Sequence, residues 1–136
     1  MNFLAVILFF ALVSADFVKF QFKFSCDYND TSRYQIQFRE NQVMNLYFTK
    51  PFYGKVSAES NATFEGILNP NNSNANGYKI IADITHDCSE KHKFRRARLI
   101  FNQTFPFGNN IFASSINLTN LQNDQEIYEG LEDNEL

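Results

Sequence analysis

The feature that most limits what this chain can become is a period of two. Between Lys19 and Cys26, the residues Phe20, Phe22, Phe24 and Cys26 fall on one side of an extended backbone and Lys19, Gln21, Lys23 and Ser25 on the other. Successive side chains of a strand point to opposite faces, so this spacing makes a half-buried strand, whereas a helix would scatter the four apolar residues around its circumference. The alternation returns in Tyr34, Ile36 and Phe38 against Arg33, Gln35, Gln37 and Arg39. It returns again in Ile80, Ala82, Ile84, His86 and Cys88, and in Ala97, Leu99 and Phe101 against Arg96 and Arg98. Shorter candidate strands are 43–48, 63–68 and 111–118. Turn formers lie between them: Asn29 and Asp30, Pro51 and Gly54, the Asn-rich stretch 69–77, then Pro106 and Gly108. Short strands separated by turns, with no sustained helical period in the body of the chain, predict an all-β, single-domain antiparallel β-sandwich.

The ends read differently. Residues 3–13 are unbroken apolar, and Val13, Ser14 and Ala15 supply small residues around a cut after Ala15. This is the pattern of a secretory signal peptide over 1–15; about eleven apolar residues are too few for the roughly twenty that span a bilayer. The predicted domain is then 16–123. The segment 124–136 holds six acidic residues and no basic one, which predicts a solvated, flexible acidic tail and leaves the rest of the chain with nine acids against 12 Lys and Arg. A formal net charge of −3 argues against a strongly basic nucleic-acid binder, and 16 Phe argue against a disordered chain.

Export changes how the two cysteines read. In an oxidising compartment, Cys26 and Cys88 are most simply one disulfide, and both fall on the inward parity of their strands. Two buried free thiols are the alternative. A zinc site at His86, Asp87 and Cys88 lacks the paired spacings of a tetrahedral centre, and no other pattern calls for a metal or cofactor. Export also bears on Asn, which occupies roughly one position in eight against a few per cent in an average chain. Five sequons occur, at Asn29, Asn61, Asn71, Asn102 and Asn117. Asn29, Asn61 and Asn71 fall in predicted loops; Asn102 ends a predicted strand and Asn117 lies within one.

One cluster of charge stands out. Lys91, Lys93, Arg95, Arg96 and Arg98 put five fixed cations into eight residues. A solvated hairpin explains them, with Arg96 and Arg98 facing out. The sharper reading is an anion-binding edge for phospholipid head groups or sulfated glycans, since arginine forks suit phosphate and sulfate.

The stretch Ile84-Thr85-His86-Asp87-Cys88, a polar loop, and Arg95-Arg96-Ala97-Arg98-Leu99-Ile100-Phe101 resembles nematode transthyretin-like proteins. Phe22-Lys23-Phe24-Ser25-Cys26 is similar to that family's first strand, and Ile116-Asn117-Leu118 to its closing one. The segment Gly54-Lys55-Val56-Ser57 lacks the family's Asp, and Ser114 replaces a Gly, which makes the chain a divergent member. The resemblance implies a transthyretin-like (prealbumin-like) β-sandwich, related in layout to immunoglobulin domains, with Cys26 paired to Cys88. It also implies an extracellular partner, either a cell-surface protein or a phosphatidylserine-bearing membrane. The hydroxyisourate hydrolases of that fold end in Tyr-Arg-Gly-Ser, whereas this chain ends in Glu-Asp-Asn-Glu-Leu, so no catalysis is expected. The expected function is a secreted binding module. The alternatives are a carrier of a small hydrophobic ligand in a cavity or oligomer interface, and, less favoured, a hydrolase. A C-terminal Glu-Leu without the preceding acid is a poor retrieval signal.

Overall fold

Among the described residues, ten strands in two sheets carry the alternation into three dimensions. The computed structural model describes residues 15–28, 31–40, 46–70, 77–101, 105–121, 125–129 and 132–133, the last two segments by backbone alone. In chain order the strands are β1 (Asp16–Ser25), β2 (Ser32–Glu40), β3 (Leu46–Tyr47), β4 (Phe52–Val56), β5 (Glu59–Leu68), β6 (Ile80–His86), β7 (Arg95–Phe101), β8 (Asn110–Asn117), β9 (Gln125–Glu129) and β10 (Glu132–Asp133). A 3-10 turn at Leu118–Asn120 follows β8. The first sheet runs β10-β8-β1-β5; the second runs β3-β2-β6-β7-β9, with β4 on the same side of β2 as β3. The leader expected at 1–15 lies outside the described residues except for Ala15.

The inward parity read from the sequence is the core. Phe20, Phe22 and Phe24 of β1, Ile36 and Phe38 of β2, Ile80, Ala82 and Ile84 of β6, and Leu99 and Phe101 of β7 are all buried. Phe20 is the hub of the ring contacts. It stacks on Phe38 of the facing sheet with centroids 4.6 Å apart and touches Phe22, Phe101, Phe105 and Phe112. Offset and edge-to-face pairs of this kind add specificity to the hydrophobic gain.

The return of the chain along β2 is interrupted. Ile36 opposes Phe52 and Arg39 opposes Tyr47, so the four residues from Phe48 to Pro51 stand opposite only Gln37 and Phe38. Pro51 has no N–H to lend to a ladder, and the bulge is where that lack does no harm. Thr49 fills the gap: its hydroxyl accepts from the Phe38 N–H at 3.2 Å, and its carbonyl accepts from Gln37 Nε2 at 3.0 Å. At Gly54 of β4 the Tyr34 ring lies on the backbone, where a Cβ would sit 2.3 Å from the ring, so only glycine admits it.

Three expectations are corrected. The sheets are mixed, because β1 pairs with β8 and β7 with β9 in parallel. A parallel pair needs a long connection, and the strands between β1 and β8 provide it, which sequence neighbours alone do not reveal. The strand expected at 63–68 begins at Glu59, so Asn61 lies in a strand rather than a loop. The segment 124–136 contains strands β9 and β10, which pair at the edges of both sheets, so it is not wholly a free tail. Its charge masked a strand-like run, Gln125-Glu126-Ile127-Tyr128-Glu129.

Candidate functional site

One end of the sandwich gathers the residues singled out by sequence. β1 and β6 both run toward it, and the residues that follow them, Cys26 and Cys88, join the two sheets by a disulfide with Cα atoms 6.0 Å apart. Both cysteines are buried, as their parity required. Ser32 Oγ lies 3.3 Å from Cys26 Sγ and Thr119 Oγ1 3.4 Å from Cys88 Sγ; since neither sulfur carries a proton, the hydroxyls are the donors.

His86 is a structural pin. It is fully buried, its Nδ1 accepts from the Cys88 N–H at 3.0 Å, and its Nε2–H donates to the Leu121 carbonyl at 2.8 Å. Both ring nitrogens are therefore used by the neutral imidazole, which ties β6 to the chain leaving β8. Burial pushes its pKa below the ordinary 6.5, against smaller opposing effects of the Leu121 hydrogen bond and Asp87, and Arg95 lowers it further. The unfolded chain then binds a proton below 6.5 that the folded chain refuses. Stability from this group is complete above 6.5 and is lost as pH falls from there toward the lowered value. Denaturant midpoints between about pH 7.5 and 5.5 should show a decline with a limiting slope of about 1.4 kcal/mol per pH unit. In His86→Gln that slope should vanish; an unchanged slope would assign the effect to other groups.

Asp87, the next residue, points the other way and is 2% exposed. Its carboxylate accepts from the Arg33 N–H at 2.5 Å and from Arg33 Nε at 3.3 Å, fastening the β6–β7 loop to β2. The Arg33 guanidinium in turn lies 5.3 Å from the centre of the Phe94 ring, a cation–π distance, and Phe94 remains 55% exposed. The loop itself is closed by Ser89 Oγ donating to the Lys93 carbonyl, with His92 in the left-handed region at φ 52°.

The five candidate cations separate. Lys91, Lys93 and Arg96 are exposed at this tip, together with one acid, Glu90. Arg98 instead meets Asp83 at 3.4 Å on the outer face of the second sheet, where Asp83 also accepts from Arg39 Nε at 3.0 Å and from the Tyr47 hydroxyl at 2.8 Å. That hydrogen bond is the main reason the Tyr47 phenol is held above its ordinary pKa. Arg98 also sits in register with Glu126 of β9. Arg95 shares the inward parity of Ala97 and Leu99, and its Nε is buried without a hydrogen-bond partner. Asp83 and Arg33 carry this arrangement, and no local pattern points to them, because only the register across β2, β6 and β7 brings them to their partners.

The sequons separate as well. Asn29, Asn71 and Asn102 lie outside the described residues. Asn117 has a structural role: its Oδ1 accepts from the Thr119 N–H at 3.1 Å and its Nδ2 lies 3.2 Å from both Asp27 carboxylate oxygens. Thr119 Oγ1 accepts from the Asp27 N–H at 2.8 Å, so both polar residues of that sequon fasten the 3-10 turn beside the disulfide. Asn61 and Thr63 are exposed on β5. Among the described residues no three His, Cys, Asp or Glu side chains are grouped to hold a metal, and no helix is long and apolar enough to cross a membrane.

No protein-family model matches the chain, and no curated protein or solved structure matches it either.

Proposed function

We propose that the chain is a secreted binding module, a divergent transthyretin-like protein, whose disulfide-linked end contacts an anionic lipid or sulfated-glycan surface. The observation that carries this reading is Phe94, which is 55% exposed beneath Arg33 and between the exposed Lys91, Lys93 and Arg96. Asp87 is buried and held by Arg33, which leaves Glu90 as the exposed acid described on this loop. An exposed aromatic under one cation and flanked in sequence by others can seat its ring at a membrane interface while the cations meet phosphate, each worth about 1 kcal/mol near an anionic surface. Arg98 leaves the set because Asp83 holds it, and Arg95 because it faces inward.

The family reading is supported by the disulfide, which joins the two cysteines that the resemblance pairs. The carrier reading is less favoured, because the Phe side chains that would line a cavity pack against one another instead.

The test is binding to phosphatidylserine vesicles, neutral vesicles and heparin, at low and physiological salt. The variant Lys91→Gln/Lys93→Gln/Arg96→Gln should lose most anionic binding and its salt dependence, whereas Arg98→Gln should keep both. Phe94→Ser should weaken vesicle binding but not heparin binding if lipid is the partner. Equal binding by the triple variant and the parent would overturn the reading.

A further inference from the structure

The first sheet has one long open side. β5 pairs with β1 through ten consecutive positions, from Asp16 opposite Leu68 to Ser25 opposite Glu59, and among the described residues no strand pairs with its other edge. A free edge presents unpaired N–H and C=O groups that template pairing with another chain; proteins blunt such edges with short strands, lysine, proline, bulges or inward charge. Among the described residues the edges of the second sheet have such devices: beside β2 the outer edge is cut by the bulge and Pro51 into pieces of two and five residues, and β9 has only five. On the far side of the first sheet, β10 pairs Phe112 and Ala113 of the eight-residue β8.

β5 has none of them. Its ten residues, ESNATFEGIL, include no Lys, Arg or Pro, and its register with β1 is unbroken. Its two acids each face a lysine of β1, Glu59 at 3.0 Å from Lys23 and Glu65 at 3.7 Å from Lys19, so their charge is compensated locally instead of repelling a neighbour. Ile67 is 64% exposed near one end of the strand. What β5 does carry, at its third to fifth residues, is the sequon Asn61-Ala62-Thr63, with Asn61 exposed opposite Lys23.

We propose that Asn61 carries an N-linked glycan that guards the open edge of β5 against pairing with a second copy of this chain. The inference rests on the secreted reading above, because the sugar donor, an oligosaccharide on a lipid pyrophosphate, is met only on export. In the transfer, the bond from the sugar's anomeric carbon to the pyrophosphate oxygen breaks and the lipid pyrophosphate leaves with the electron pair. The Asn61 Nδ2 bonds to that carbon and gives up one proton. A glycan there occupies the space that a second molecule needs in order to lay a strand along β5. It also stands clear of the phenylalanine core, since Asn61 has the parity of Glu59 and Glu65 rather than that of Phe64 and Leu68.

The experiment uses the full chain with its leader, expressed in a eukaryotic secretory line, with glycopeptide mass spectrometry at each sequon and sedimentation velocity of the secreted protein. Expected are a glycan at Asn61 and a several-fold rise in self-assembly for Asn61→Gln and Thr63→Ala. Thr63→Ser, which keeps the sequon, should behave as the parent. Thr63→Lys should lack the glycan yet stay dispersed, because lysine is itself an edge guard. Sugar at other sequons with Asn61 bare overturns the proposal and leaves secretion standing, as does an Asn61→Gln chain that assembles no more than the parent. No export and no sugar at any sequon overturns both.

Discussion

Removing the Cys26–Cys88 bond by Cys26→Ser/Cys88→Ser is expected to lower folding stability by about 2–5 kcal/mol, read as a fall in the urea midpoint. Two effects add. The bond spans a sequence separation of 62 residues, so the reduced denatured chain gains freedom worth roughly 4 kcal/mol in the loop-closure model. It also joins the two sheets beside the contacts made by Ser32, Thr119 and His86, so the double variant leaves serine hydroxyls in an interior that offered a disulfide. A domain of this size has about 5–15 kcal/mol in all, so the bond accounts for a large share of the total. A midpoint shift worth less than about 1 kcal/mol would mean that the sheets hold together without the bond.

The second large effect is expected at Phe20→Ala, about 3–5 kcal/mol. Phe20 is almost wholly buried and touches five other rings drawn from both sheets, so the lost transfer energy is joined by a cavity that stiff strands cannot collapse. Lys23→Ala, on the outer face of the same strand, removes only the exposed pair with Glu59 and should cost at most about 1 kcal/mol. A comparable loss from the two substitutions would contradict the assigned facing of β1.

The core was legible because parity is a local property. Phe20, Phe22, Phe24, Ile36, Phe38, Ile84 and Leu99 needed only their neighbours in sequence to be assigned inward, and the two cysteines followed from the same count. What escaped is what depends on the partner strand. Glu59, Ser60, Asn61 and Ala62 are poor strand formers and look like a loop, yet β1 supplies a pairing partner for each of them. Composition groups Arg95 with Arg96 and Arg98, though parity separates it from both. The Asp83 cluster draws on β2, β3, β6 and β7 at once, which no window along the chain contains.

The parallel pairing of β1 with β8 also sets an order in time. β1 is central in its sheet, and its two partners come from the middle and the far end of the chain, with Phe20 opposite Phe64 on one side and Phe112 on the other. At a synthesis rate of about 5–20 residues per second, the nascent β1 waits on the order of 5–20 seconds before β8 exists to cover its second side. For that interval its row of Phe20, Phe22 and Phe24 is a sticky segment without its final neighbours. The chain's demand for chaperones should therefore be greatest once β1 has emerged and end only when β8 has followed it.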